Sequence, residues 1–206
     1  EHRMSNAQLE RYGRWTIWFF LVFVAAEGVF GHYFDPMHYK IMAIIGPEYA
    51  DHDVLMDQTL PNNSWVHRFL GFALLVLGAL QFNADLRRRK PQLHRWMGRT
   101  YLLLALITVV SGIIFALNTP FVGEPEKLFV ILISLSLLFM LSRAWMLVRR
   151  RDFVRHREWM IRGYALFLFI VVQRVLVIPF MLLRWPEHDR FLFTGWLAVI
   201  IVMVAA

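Results

Sequence analysis

Hydrophobic residues in this chain come in long unbroken runs, separated by short polar stretches. Runs at about 15–33, 65–83, 96–117, 127–148, 159–181 and 191–206 each approach the length a bilayer-spanning helix needs, about 20 apolar residues. Strand-length alternation of the kind that marks a membrane barrel is absent. The pattern predicts one all-α domain over residues 1–206, a polytopic membrane bundle of about six transmembrane helices. The only long connection is the loop 34–64, in which "YKIMAIIGPEYADHDVLM" can form a short amphipathic surface helix. Composition supports this solvent: 58% of residues are hydrophobic and the mean hydropathy is +0.49. The first run is read as a retained span, because it carries Trp15, Trp18 and Glu27 and lacks a small-residue cleavage site. The sixth run stops at Ala206 with no basic residue behind it.

Charge orients the bundle. The N-terminal segment, "NADLRRRKPQ", "RRRDFVRHRE" and their flanks hold sixteen Lys/Arg against five acids. The 34–64 loop, "NTPFVGEPEK" and "RWPEHDR" with their flanks hold five against nine. Lys/Arg bias in short loops sets topology, so both termini and the two Arg-rich loops are expected in the cytoplasm, in a bacterial inner membrane. The basic runs hug span ends and lack interleaved aromatics, which argues against nucleic acid and for anionic lipid headgroups. The chain has no cysteine, so disulfides and thiolate metal sites are excluded.

Ionisable side chains inside a span are costly and mark functional candidates. At the acidic end these are Glu27 and His32 in the first span, His67 and Arg68 opening the second, and Gln173 and Arg174 in the fifth. Arg174 lies five residues before Pro179, about 7 Å inside the span end, and Glu27 is the intramembrane carboxylate at matching depth. The pair reads either as a staple between spans or as a polar pocket for a cofactor propionate or a quinone carbonyl.

At the Arg-rich end, "LHRWMGRTY" (93–101) and "RHREWMIRGY" (155–164) repeat one chemistry at the mouths of two spans. His94, Gly98, Tyr101, Ala105, Thr108 and Gly112 share a helical face. So do His156, Met160, Gly163, Phe167, Arg174 and Ile178, and also His67, Gly71, Leu74 and Gly78. Each histidine rides with glycines, which let a helix or a flat ligand approach the backbone. A b-type haem needs two imidazoles at matched depth with arginines near its propionates. His94 with His156 forms such a pair, His32 with His67 a second, and Arg99 and Arg162 are candidate propionate partners. Quinone or lipid binding at the same faces, and plain interface roles for helix-end histidines, stay open beside it. His32, Asp35, His38, Asp51, His52 and Asp53 offer mixed metal ligands but no recognised spacing. Hydrolase, nucleotide and Rossmann motifs are missing.

The segments "HRFLGFALLVLGALQF" (67–82), "HRWMGRTY" (94–101) and "HREWMIRGYALFLFIVVQR" (156–174) resemble bacterial predicted membrane proteins of domain-of-unknown-function 2306. That resemblance covers about residues 65 to 181 and implies a six-to-seven-helix membrane fold, with no activity attached. A weaker likeness, to transmembrane di-haem cytochromes, would require His32 to replace a histidine missing from the fourth span. Two functions are therefore expected. The first is an electron-transfer protein holding haem b or quinone. The second is an accessory subunit that presents a helix face to other membrane subunits. A transporter is disfavoured, because no broken helix or inverted repeat is evident.

Overall fold

The computed structural model describes residues 61–118 and 123–206. The run 15–33, the loop through residue 60, Glu27 and His32 lie outside these residues. Within them the chain is helical, with no strand. Seven helices follow one another: α1 Pro61–Gln81, α2 Ala84–Arg89, α3 Pro91–Asn118, α4 Glu124–Arg149, α5 Phe153–Phe167, α6 Phe169–Leu182 and α7 Glu187–Val204. Pro91–Asn118, Glu124–Arg149 and Phe153–Phe180 are each long and apolar enough to cross a membrane, and α1 contributes a shorter apolar stretch, Phe69–Gln81. The chain is an all-helical membrane bundle.

Local chemistry sets the helix limits. Asn83 caps α2 by accepting from the Asp85 and Leu86 amides at 2.9 and 3.0 Å. Three arginines fill the last turn of α2, where the helix dipole favours cations. The stretch "NADLRRRKPQ", expected as a loop, therefore contains a short helix. Pro91 opens α3, a position where its missing amide costs nothing. Asp152 caps α5 through the Arg155 amide at 3.1 Å. Both spanning helices thus begin five or six residues earlier than the apolar runs 96–117 and 159–181. Hydropathy sees only the oily part, whereas caps fix the true start.

Neighbours in the sequence pack as neighbours in space: α1 on α3, α3 on α4, α4 on α5, and α6 on α7, which also touches α4 and α5. The core joins Leu74 of α1, Tyr101, Ala105 and Val109 of α3, Phe129, Ile133, Leu137 and Leu141 of α4, and Met160, Tyr164 and Leu166 of α5. Leu103, Leu106 and Val110 on α3 and Leu128, Leu135 and Phe139 on α4 are exposed. That exposure is normal where the solvent is lipid. Close helix approach uses glycines: a Cβ on Gly163 would stand 3.1 Å from Leu141 Cδ2, and one on Gly195 would stand 2.9 Å from Phe129 Cζ.

The fifth span is not one uniform helix. At Leu168 the hydrogen-bond pattern tightens, with the Val171 amide reaching the Leu168 carbonyl at 3.0 Å. Before the break, His156 is half-buried and Met160 and Gly163 are buried. Beyond it the buried positions are Val171 and Gln173, while Arg174 and Ile178 are exposed. The face projected from His156 through Arg174 to Ile178 is thus buried or half-buried before Leu168 and exposed at Arg174 and Ile178.

Candidate functional site

At the Arg-rich end the three elements α1, α3 and α5 bring their polar groups together. His94 is the fourth residue of α3, half-buried, and lies within electrostatic range of His156, Arg87 and Arg95. His156, the fourth residue of α5, places Nδ1 2.8 Å from the Ala144 carbonyl of α4. A carbonyl can only accept, so Nδ1 carries the proton and the lone pair of the ring sits on Nε2. A main-chain acceptor of this kind fixes the tautomer and orientation of the ring.

Gln81 closes α1 against Gly98, one turn along α3 from His94. Its side chain is buried against α3, with Oε1 3.4 Å from where a Gly98 Cβ would lie. That is ordinary contact, so the glycine leaves room of roughly a methyl group over the α3 backbone. Among the described residues, two buried polar atoms that border the region have no hydrogen-bond partner: Gln81 Nε2 and His94 Nδ1. Such groups are uncommon, because an unmade hydrogen bond costs about 1–3 kcal/mol. Tyr101 and Tyr164 form the apolar floor deeper in the bundle. Tyr101 is 1% exposed, and Tyr164 donates its hydroxyl to the Leu75 carbonyl at 2.9 Å.

The second histidine-bearing face is near the opposite end. His67 Nδ1 lies 3.1 Å from the Thr108 carbonyl and 3.0 Å from Ser111 Oγ. Ser111 donates to the same Thr108 carbonyl at 2.9 Å, so Nδ1–H of His67 is the donor to both. The ring rests over Gly112, where a Cβ would stand 2.9 Å from Cε1. From Gly112 back to His94 is eighteen residues of α3, about 27 Å. The two polar sites therefore sit at opposite ends of the bundle.

Other expected residues sit apart from these sites. Arg99 is exposed and stacks over Trp96, 5.7 Å from the ring centroid. Arg162 stacks over Trp159 at 5.3 Å. Arg174 is exposed, and its neighbour Gln173 turns inward to donate to the Phe191 carbonyl at 3.2 Å. The expected partner Glu27, like His32, lies outside the described residues. No group of three or more metal-ligating side chains occurs among the described residues.

Sequence reasoning missed Gln81, Ser111, Tyr164 and the pair Glu126–His188. Glu126, in the first turn of α4, is 5% exposed and accepts from His188 Nδ1 at 3.0 Å. Gln81 was detectable, because an amide inside an apolar run obeys the same cost rule as a charge. Ser111 and Tyr164 carry no comparable signal.

The chain matches the predicted membrane protein family of domain-of-unknown-function 2306 over residues 64–206, more than two thirds of its length. The protein belongs to that family. Within this member of the family, the matched region takes in all three histidine-bearing faces and Gln81, and it reaches beyond the resemblance legible at 65–181, to include α7. No curated protein and no solved structure matches the chain.

Proposed function

We propose that this integral membrane protein binds a quinone headgroup at the Arg-rich end of the bundle, between Gln81, His94 and the Gly98 backbone, and takes part in electron transfer with it. One observation carries the reading: among the described residues Gln81 Nε2 and His94 Nδ1, a donor and a nitrogen able to accept, are both buried without a hydrogen-bond partner, the first on the side chain that packs over Gly98 and the second one turn before that glycine on α3. A quinone carbonyl accepts from an amide N–H, and a hydroquinone hydroxyl donates to an imidazole nitrogen. Gly98 adds no side chain of its own, so a flat ring that displaced the Gln81 amide would meet the α3 backbone. The isoprenoid tail of such a ligand would run into the lipid, and the proton released on oxidation would pass from His94 towards His156. The Lys/Arg excess of the adjoining loops supports a cytoplasmic position for this end in a bacterial inner membrane.

A second reading is favoured by a different observation. The His156 Nδ1–H to Ala144 carbonyl bond is the kind of arrangement that orients an axial haem ligand, and His94, at the same end of the bundle, is the candidate for the other.

The two separate experimentally. Purified protein is extracted for quinone, titrated with a short-tailed quinone, and its spectrum recorded oxidised against reduced. The quinone reading expects saturable binding that weakens about five- to tenfold in Gln81→Leu, the loss of one hydrogen bond. It expects a comparable weakening in Gly98→Ala, whose added methyl fits without collision and so leaves the fold intact. Wild-type protein that binds no quinone, or variants that bind it equally well, would contradict it. A Soret band lost in His94→Ala and His156→Ala would establish haem instead. A colourless, quinone-free preparation carried by another membrane complex would point to the accessory-subunit role.

A further inference from the structure

On the lipid-facing side of the α4–α5 pair, Trp159 is the centre of a small cationic construction. Arg143 of α4 and Arg162 of α5 both place their guanidinium carbons over its ring, at 5.7 and 5.3 Å from the centroid. Phe139, itself exposed to lipid, meets the same ring edge-on at 5.7 Å. Arg143 lies six residues before the end of α4, and Trp159 six residues after the start of α5. Both are therefore about 9 Å from their helix ends, the level at which a lipid headgroup meets its tails.

Neither arginine forms a salt bridge among the described residues, although Glu158 is one turn from Arg162. A guanidinium stacked by its face keeps its in-plane N–H edges for other acceptors. Two such edges, held by one ring at the membrane boundary, suit a phosphodiester, which presents two anionic oxygens and accepts bidentate pairing. Arg150 and Arg151 lie in the turn between α4 and α5 and Arg149, Arg155 and Arg157 flank it, so the local field also favours an anion.

We infer that Arg143, Trp159 and Arg162 form a binding site for the phosphodiester of an anionic phospholipid, with Phe139 against the first carbons of its acyl chains. This site is separate from the quinone region and stands whether or not that reading survives. Its lipid occupant differs from free phosphate in needing the apolar ring edges as well as the charge.

Native mass spectrometry of the detergent-solubilised chain, titrated with phosphatidylglycerol, phosphatidylcholine or inorganic phosphate, tests the site. The expected result is retention of phosphatidylglycerol over phosphatidylcholine, little competition by inorganic phosphate, and a loss of several-fold in R143Q/R162Q. R88Q/R89Q removes the same charge from the exposed helix α2 and should leave retention unchanged. R143K/R162K keeps the charge but loses the planar stack, so it should retain less lipid than wild type while folding normally by circular dichroism. Equal retention of the two phospholipids, equal loss in R88Q/R89Q, wild-type retention in R143K/R162K, or displacement by inorganic phosphate would each overturn the assignment.

Discussion

Tyr164 and Leu75 are joined across 89 residues of sequence by a hydrogen bond of 2.9 Å from the phenol of α5 to a main-chain carbonyl of α1. The same phenol ring lies in the notch left by Gly78, three residues further along α1. A Cβ on Gly78 would collide with the Tyr164 ring and stand 3.2 Å from Tyr101 Cε2. One aromatic side chain thus measures how closely the first and fifth described helices approach, and it forms the floor beneath Gln81 and His94.

Substitutions at this notch should rank accordingly. Tyr164→Phe removes one buried hydrogen bond and is expected to cost about 0.5–1.5 kcal/mol in detergent unfolding. Gly78→Ala forces the ring out of its place and should cost about 1–3 kcal/mol. Adding Tyr164→Leu to Gly78→Ala should recover part of that loss. Simple additivity of the two changes would show that the ring and the glycine are not in contact.

The His67 face predicts a second pair. Its ring rests over Gly112, so Gly112→Val should destabilise by about 1–3 kcal/mol. His67→Ala in that background should relieve the crowding. Ser111→Ala should cost much less, because the Thr108 carbonyl remains to accept the His67 Nδ1 proton. Thermal unfolding of the single and double variants checks the order.

A third expectation concerns the turn between α4 and α5, where Arg151 adopts a left-handed backbone with φ of 62°. An L-residue there costs about 1 kcal/mol relative to glycine. Arg151→Gly should therefore stabilise the protein by about that amount. An unchanged or lower melting temperature would show that the Arg151 side chain makes a compensating contribution.

Much of this was written in the pattern of the chain. The faces His67–Gly71–Leu74–Gly78 and His94–Gly98–Tyr101–Ala105–Thr108–Gly112 do turn inward, because glycine and small residues at helical spacing mark where membrane helices touch. Arg174 is exposed beyond the tightened turn at Leu168, a turn that periodicity alone does not register. Arg99 and Arg162, candidate propionate partners by position, stack on Trp96 and Trp159, contacts that spacing does not reveal because it does not tell a long arginine which way to reach. Gln81 stands at the end of an apolar run, where an amide can be either solvated or buried, and only the packing of α1 on α3 decides between the two. The hydrogen bonds from His156 to Ala144 and from His67 to Thr108 use main-chain carbonyls, which every residue carries and no sequence pattern reveals.

Convergence of the histidine faces on the bundle interior is the premise on which ligand binding at His94 depends. The chain has no cysteine, so single-cysteine probes are unambiguous. The rate of labelling by a water-soluble maleimide is the direct measurement, comparing His94→Cys and His156→Cys with Arg88→Cys and Arg155→Cys, which replace exposed residues near the same end. An inward-facing site predicts several-fold slower labelling at 94 and 156, and slower still when short-tailed quinone is added at 156 with His94 intact. Rates as fast as at 88 and 155, unaffected by quinone, would contradict it.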